Sequence, residues 1–257
     1  TISSDHTSDG AGPGSFVSNI SGLTDNTTYY VRAYASNSAG VAYGDPISFT
    51  TTSIPTDVFL AGTKGGLATY WKNGIATTLT SGTTASFANS IYVSNNDVYV
   101  AGTTGSTGSG NQERAVIWKN GVQSVLTNGS TQANGNAIFV SGTDVYVAGS
   151  EYNSNTIKVA KIWKNGIEIP LTDGTHEASA EAVYVNGTDV YVAGYEENIS
   201  STDIDIKLWK NGVSSIIGHS HMAVPAYSIF ILGNDVYVAF TIEDATSAER
   251  AILWKNN

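Results

Sequence analysis

The chain has 257 residues, no cysteine, 13% charged residues and a formal charge of −10. The missing cysteine excludes disulfides, thiolate metal sites and a thiol nucleophile, and the acidic balance excludes the basic stripe that a nucleic-acid partner requires. No apolar run approaches the roughly 18 residues of a membrane-spanning helix, while plentiful Thr, Ser, Asn and Val beside 27 Gly and 14 Tyr favour short strands and tight turns.

The chain begins at Thr1 with no visible leader and reads as an excerpt of a longer, multi-domain protein. From Phe16 to Thr52 it carries Leu23-Thr-Asp-Asn-Thr-Thr-Tyr29, then an alternation in which Tyr29, Val31, Ala33 and Ala35 share one face. Asn37-Ser-Ala-Gly40 reads as a hairpin loop and Ile47-Ser-Phe-Thr50 as a last strand. This segment resembles the second half of a fibronectin type III domain, with Asp25 where that family usually has proline. The resemblance implies a partial β-sandwich over residues 1–53, in which the Tyr29 hydroxyl ties back to upstream backbone. Residues Ser53-Ile-Pro-Thr56 read as a linker.

A repeat occupies residues 54–257. Trp71, Trp118, Trp163, Trp209 and Trp254 are spaced by 47, 45, 46 and 45 residues, and each is followed by Lys-Asn. A second block, Asp57-Val-Phe-Leu-Ala-Gly62, precedes the first, and recurs as Asp-Val-Tyr-Val-Ala-Gly from Asp97, Asp144 and Asp189. The fifth copy, from Asp235, ends in Phe240 instead of glycine. Each copy reads as four strands, called a to d here. In the third copy these are Asn136–Val140, Val145–Ala148, Val159–Trp163 and Ile167–Leu171, with Asn165-Gly166 as a two-residue hairpin turn. Strands a and b are apolar on both faces, as sheets stacked between neighbours are. Four strands in about 45 residues indicate an all-β fold, a β-propeller of about five four-stranded blades behind the partial sandwich. The layout is similar to the WD-type blade, which implies strand a innermost and the d–a and b–c loops on one face. Strands a and d occur four times and b and c five, so the array as given has an open seam.

Three groups of residues are candidates for chemistry. Asn89, Asn136, Glu181 and Tyr227 each stand eight residues before a b-strand aspartate, which places them at the start of the innermost strand near the channel mouth. His219 and His221 alternate along an extended segment close to Asp205, a spacing metal sites use, but no third ligand follows from spacing; no metal site is assigned. His176 holds a similar place one repeat earlier, beside Asp173 and Glu177. The b–c loops carry Glu151, Glu196, Asp203, Glu243 and Asp244, oxygens that calcium would accept, although no dense aspartate ladder appears and no cofactor is expected. The five tryptophans read as wedges between blades, and the repeated aspartates as turn residues that accept a backbone N–H.

These features lead to the expectation of a non-catalytic binding or adhesion module, extracellular or at a cell surface, that displays variable loops to a glycan or protein. The whole is similar to secreted or surface bacterial proteins that string such domains ahead of a propeller. The alternative is a carbohydrate-active hydrolase at the channel mouth, with Glu181, Asp205 and His221 as its groups. An exact repeat offers identical environments, whereas glycoside cleavage needs two carboxyls in different ones. The fourth repeat is the least regular.

Overall fold

The structure is a computed structural model, described for residues 6–52, 57–82, 85–105, 113–198, 203–222, 227–244 and 246–256. The expected linker Ser53–Thr56 lies outside the described residues. The chain divides into two compact units, Thr1–Asp57 and Val58–Asn257.

In the first unit four short strands form two hairpin-sized sheets: β1 (Thr28–Val31), β2 (Tyr34–Asn37), β3 (Gly40–Tyr43) and β4 (Ile47–Thr50). Strand β1 pairs with β4 and β2 with β3, all antiparallel. The single alternating strand expected through Ser36 therefore breaks after Val31, and its second half joins a different sheet. The Tyr29 hydroxyl accepts the Thr24 N–H at 2.8 Å, and its ring stacks on Phe49 with centroids 6.0 Å apart.

The second unit is five antiparallel sheets in succession. The first holds β5 (Phe59–Lys64), β6 (Leu67–Lys72) and β7 (Ile75–Thr78). The second holds β8 (Ser86–Ser94), β9 (Asp97–Thr104), β10 (Arg114–Lys119) and β11 (Val122–Val125). The third holds β12 (Ala133–Ser141), β13 (Asp144–Tyr152), β14 (Lys158–Lys164) and β15 (Ile167–Pro170). The fourth holds β16 (Ala178–Asn186), β17 (Asp189–Glu197), β18 (Ile204–Lys210) and β19 (Val213–Ser220). The fifth holds β20 (Tyr227–Leu232), β21 (Asp235–Glu243) and β22 (Glu249–Lys255).

Successive sheets stack face to face as in a β-propeller. The a strands β8, β12, β16 and β20 adjoin one another in turn, while the d strands β11 and β15 are exposed along their length. One face of each sheet offers Tyr, Ala and an aliphatic side chain, and the next sheet drives its tryptophan into that surface. Trp163 thus packs with Tyr99, Ala101 and Ile117, and Trp209 with Tyr146, Ala148 and Ile162. Trp118, Trp163 and Trp209 are fully buried, and truncating one to alanine costs about 3–5 kcal/mol. Trp71 and Trp254 are only half-buried.

The two sequence blocks are a staple. At each c–d turn Asn120, Asn165 and Asn211 take a positive φ of 51–52° ahead of Gly121, Gly166 and Gly212. The asparagine Oδ1 accepts a b-strand N–H (Val98, Val145 and Val190, each at 2.8 Å). Its Nδ2 donates to the repeated aspartate at 2.7–2.8 Å, whose other oxygen holds the repeated lysine at 2.7–2.8 Å. The lysine in turn lies over the b-strand tyrosine. This corrects the expected role of the aspartates. The neighbouring asparagine captures the backbone N–H, and the carboxylate joins the a–b turn to the c–d turn.

Candidate functional site

The a strands of the second, third and fourth sheets carry a bulge at one equivalent point, where pairing with strand b skips Asn89, Asn136 and Glu181. The glycine that closes Val-Ala-Gly is the local cause. A Cβ on Gly102, Gly149 or Gly194 would lie 1.9–2.0 Å from the carbonyl oxygen of Phe87, Asn134 or Ser179, so the bulged backbone fills the space a side chain would take. In the fifth sheet Phe240 replaces the glycine, and Tyr227 pairs with it in plain register.

The four candidates at this position are not equivalent. Asn89 Nδ2 donates to Gly135 O at 2.9 Å, and Asn136 Nδ2 to Ala180 O at 3.0 Å. Each amide ties its sheet to the bulge of the next. At the third position a carboxyl replaces the amide. Burial pushes Glu181 above the ordinary glutamate value, against the pull of a Ser179 hydrogen bond and the charge of Lys158.

Around Glu181 stand groups from three consecutive sheets. Tyr195 is on β17, opposite Ser179 of β16. Its hydroxyl is raised by burial and by the charges of Glu181 and Glu177, with Lys158 opposing. Tyr227 opens β20; burial, then Glu181 and Tyr195, raise its hydroxyl, which is buried without a hydrogen-bond partner among the described residues. Lys158 opens β14 with its ammonium 5.6 Å from the Tyr152 ring centroid, and its backbone N–H donates to Glu177 Oε1 at 3.1 Å. Burial lowers the Lys158 ammonium, but Tyr195, Tyr152 and Glu177 outweigh it and the net shift is upward. Tyr152 also lines an open groove of about 870 Å³ with Thr131, Glu151 and Lys161.

The remaining candidates lie elsewhere on the fourth sheet. Asp205 is buried on the c strand β18 and accepts from Asn198 Nδ2 at 2.9 Å, with His219 Nδ1 at 3.0 Å. His221 Nδ1 sits 3.1 Å from Asp203. The cause is a long d strand: β19 follows β18 to its start, with His219 opposite Asp205. Each histidine thus meets its own aspartate, one strand step apart, and neither joins Glu181 on the innermost strand. The grouping of Glu181 with Asp205 and His221 is corrected accordingly. Other b–c acids also have partners: Glu151 holds Lys161 at 2.8 Å, Glu196 holds Lys207, and Asp244 binds Arg250 and three Thr246 and Ala248 donors that lower its carboxyl to about 2.

Lys158 and Tyr195 are absent from the sequence-based candidates, and Glu177 entered them only as a neighbour of His176. A signal was present for Tyr195, since its counterparts in the earlier repeats are the small Thr103 and Ser150. A bulky phenol at a position otherwise held by small hydroxyls marks a departure from the repeat.

The sequence matches no protein-family model and no curated protein. Among solved structures the chain is similar to an α-L-arabinofuranosidase from Podospora anserina in complex with cellotriose, at 10% identity and a TM-score of 0.37. The match covers 65% of this chain and 63% of that one, so the chain spans less than two thirds of its length. An α-L-arabinofuranosidase from Clostridium thermocellum follows at 11% identity, 86% and 92% coverage and a TM-score of 0.36. An acylaminoacyl peptidase from Pyrococcus horikoshii matches at 11% identity, 90% and 50% coverage and a TM-score of 0.31. The expectation of a chain without catalytic function is corrected on this finding, since the similar structures are those of enzymes.

Proposed function

We propose that the second unit is a carbohydrate-active hydrolase, with its site at the inner end of the fourth sheet around Glu181. Glycoside cleavage needs one carboxyl that keeps its proton near neutrality and a second that stays ionised. Glu181 suits the first role because burial raises it. Glu177, which accepts the Lys158 backbone N–H and whose charge reaches Tyr195 and Lys158, is the second carboxyl of this group. In this reading the Glu181 carboxyl gives its proton to the glycosidic oxygen as the bond to the anomeric carbon breaks, while the Glu177 carboxylate supports the charge that develops on the sugar. A water then adds to that carbon and returns a proton to Glu181. The Tyr195 and Tyr227 hydroxyls receive sugar hydroxyls. The buried, unpaired Tyr227 hydroxyl carries a penalty of about 1–3 kcal/mol that a ligand hydroxyl removes.

The observation that carries the reading is the loss of repeat symmetry at one position. Two of the three bulges hold an asparagine engaged with the next sheet, and the third holds a half-buried carboxyl beside a phenol unpaired among the described residues. The test is release of 4-nitrophenol from a panel of pentosides and hexosides, with Glu181→Gln checked for folding by circular dichroism. Turnover by the wild-type chain and a loss of about 10²–10⁴-fold in the variant supports a general acid. No release from any member of the panel, or equal rates in the two proteins, overturns it.

A further inference from the structure

A second cluster lies where the loop between the third and fourth sheets meets the end of β17. Ligand atoms of Asp173, His176 and Glu196 all lie within 4.8 Å of one another. Asp173 and His176 come from the loop before β16, and Glu196 from the b strand that pairs with it. Spacing along the chain supplies only the first two, and the strand topology adds the third.

The local hydrogen bonds fix which imidazole nitrogen is available. Asp173 Oδ1 accepts the Thr175 hydroxyl at 2.6 Å, which uses the one proton that hydroxyl has. The Thr175 hydroxyl oxygen itself lies 2.8 Å from His176 Nδ1, so Nδ1 must be the donor and Thr175 Oγ1 the acceptor. Nε2 then carries the lone pair. A metal-binding histidine is held in this way, with its second nitrogen donating to an oriented acceptor.

The preceding repeat is an internal control. The loop there makes the same turn, with Asn128 Oδ1 accepting Ser130 N–H at 2.8 Å, as Asp173 Oδ1 accepts Thr175 N–H at 2.9 Å. Glu151 pairs with Lys161 there, as Glu196 pairs with Lys207 here. What differs is that Asn128 and Thr131 stand where the fourth repeat has Asp173 and His176. The scaffold is unchanged, and both non-ligands have become metal-ligating types.

We infer that Asp173, His176 and Glu196 form a site for a divalent first-row transition cation. One imidazole and two carboxylates suit zinc or manganese better than calcium, which takes oxygen ligands throughout. Binding displaces the Lys207 ammonium from Glu196, so the affinity is moderate. The site is independent of the hydrolase reading.

The test is calorimetric titration of the whole chain with Zn²⁺, in a buffer that does not chelate it. One equivalent binds with a micromolar Kd. His176→Ala weakens this at least tenfold, while the double variant His219→Ala, His221→Ala leaves it unchanged. Grafting the ligands one repeat upstream, with Asn128→Asp and Thr131→His, raises the stoichiometry from one to two. Absence of binding up to 1 mM Zn²⁺, or affinity that survives His176→Ala and falls in the double variant, overturns the site.

Discussion

Replacing Gly149 by alanine adds one methyl group at the point where the a strand of the third sheet bulges over the b strand. Its φ lies outside the left-handed region, so the backbone accepts alanine and the cost is steric alone. The new Cβ would lie 1.9 Å from Asn134 O and 3.1 Å from the Trp163 ring. Against a closest approach of 3.0 Å for real Cβ atoms, the shortfall at the carbonyl is 3.0 − 1.9 = 1.1 Å. Neither neighbour can yield that much alone, because Trp163 is fully buried and the carbonyl is backbone. The bulge must open, which strains the core by about 1–3 kcal/mol. It also releases the Asn136 bond to Ala180, worth about 1 kcal/mol. Gly149→Ala therefore costs about 2–4 kcal/mol, or about 4–16 °C in Tm for a unit of this size. Gly62 holds the same position in the first sheet, where β5 is paired on one side only, and its Cβ would meet just the Trp71 ring at 3.3 Å. Gly62→Ala costs less than about 1 kcal/mol. Urea unfolding followed by circular dichroism measures both. Equal losses in the two variants, or a Gly149→Ala loss below that of Gly62→Ala, refute the steric account of the repeated glycine.

Asn165→Ala loses the left-handed preference and the Val145 N–H acceptor together, at about 1–2 kcal/mol, and Asn165→Gly loses less because it keeps the conformation; urea midpoints for the two variants check the order. Trp163→Ala lowers stability by about 3–5 kcal/mol and Trp71→Ala by clearly less, since only the former is fully buried; thermal scans of both decide this. The raised Glu181 carboxyl keeps a proton that the unfolded chain has given up. Stability therefore falls as pH rises from the unfolded value near 4.5 to the folded one. Glu181→Gln removes that slope, so its stability advantage over wild type grows from pH 4 to pH 8 in parallel urea curves. The staple aspartates Asp97, Asp144 and Asp189 are lowered by their lysine and asparagine partners, so their contribution is present above about pH 4 and is lost as pH falls through the depressed values. Acid unfolding of wild type against Asp144→Asn measures it.

Much of the fold was legible because it repeats. The Trp-Lys-Asn-Gly block names a strand end and a left-handed turn, and that turn is present at Asn120, Asn165 and Asn211 with the strands on either side. The aspartate staple was misread. Sequence places Asp144 after a turn, but not that Asn165 is folded beside it to take the N–H first. The bulge was half visible: the interval of eight residues picked out Asn89, Asn136 and Glu181, while the reason they leave the ladder needs the carbonyl facing the glycine. Glu181 was found by its place in the strand. Tyr227 was found by the same interval, but Lys158 and Tyr195 were not, because Lys158 comes from the sheet before and Tyr195 from the paired strand, and an interval that marks the a strands reaches neither. Glu196 meets His176 through the pairing of β16 with β17 in one sheet, which spacing along the chain does not give.

The functional reading turns on whether the carboxyl at the third bulge, in the fourth sheet, holds its proton where a solvated glutamic acid has released it. Carbon-13 NMR of selectively labelled glutamate, with Glu181→Gln to assign the resonance, follows that ionisation directly. A midpoint clearly above 4.5, the ordinary glutamate value, is the predicted result, and a midpoint at or below it contradicts the role given to Glu181.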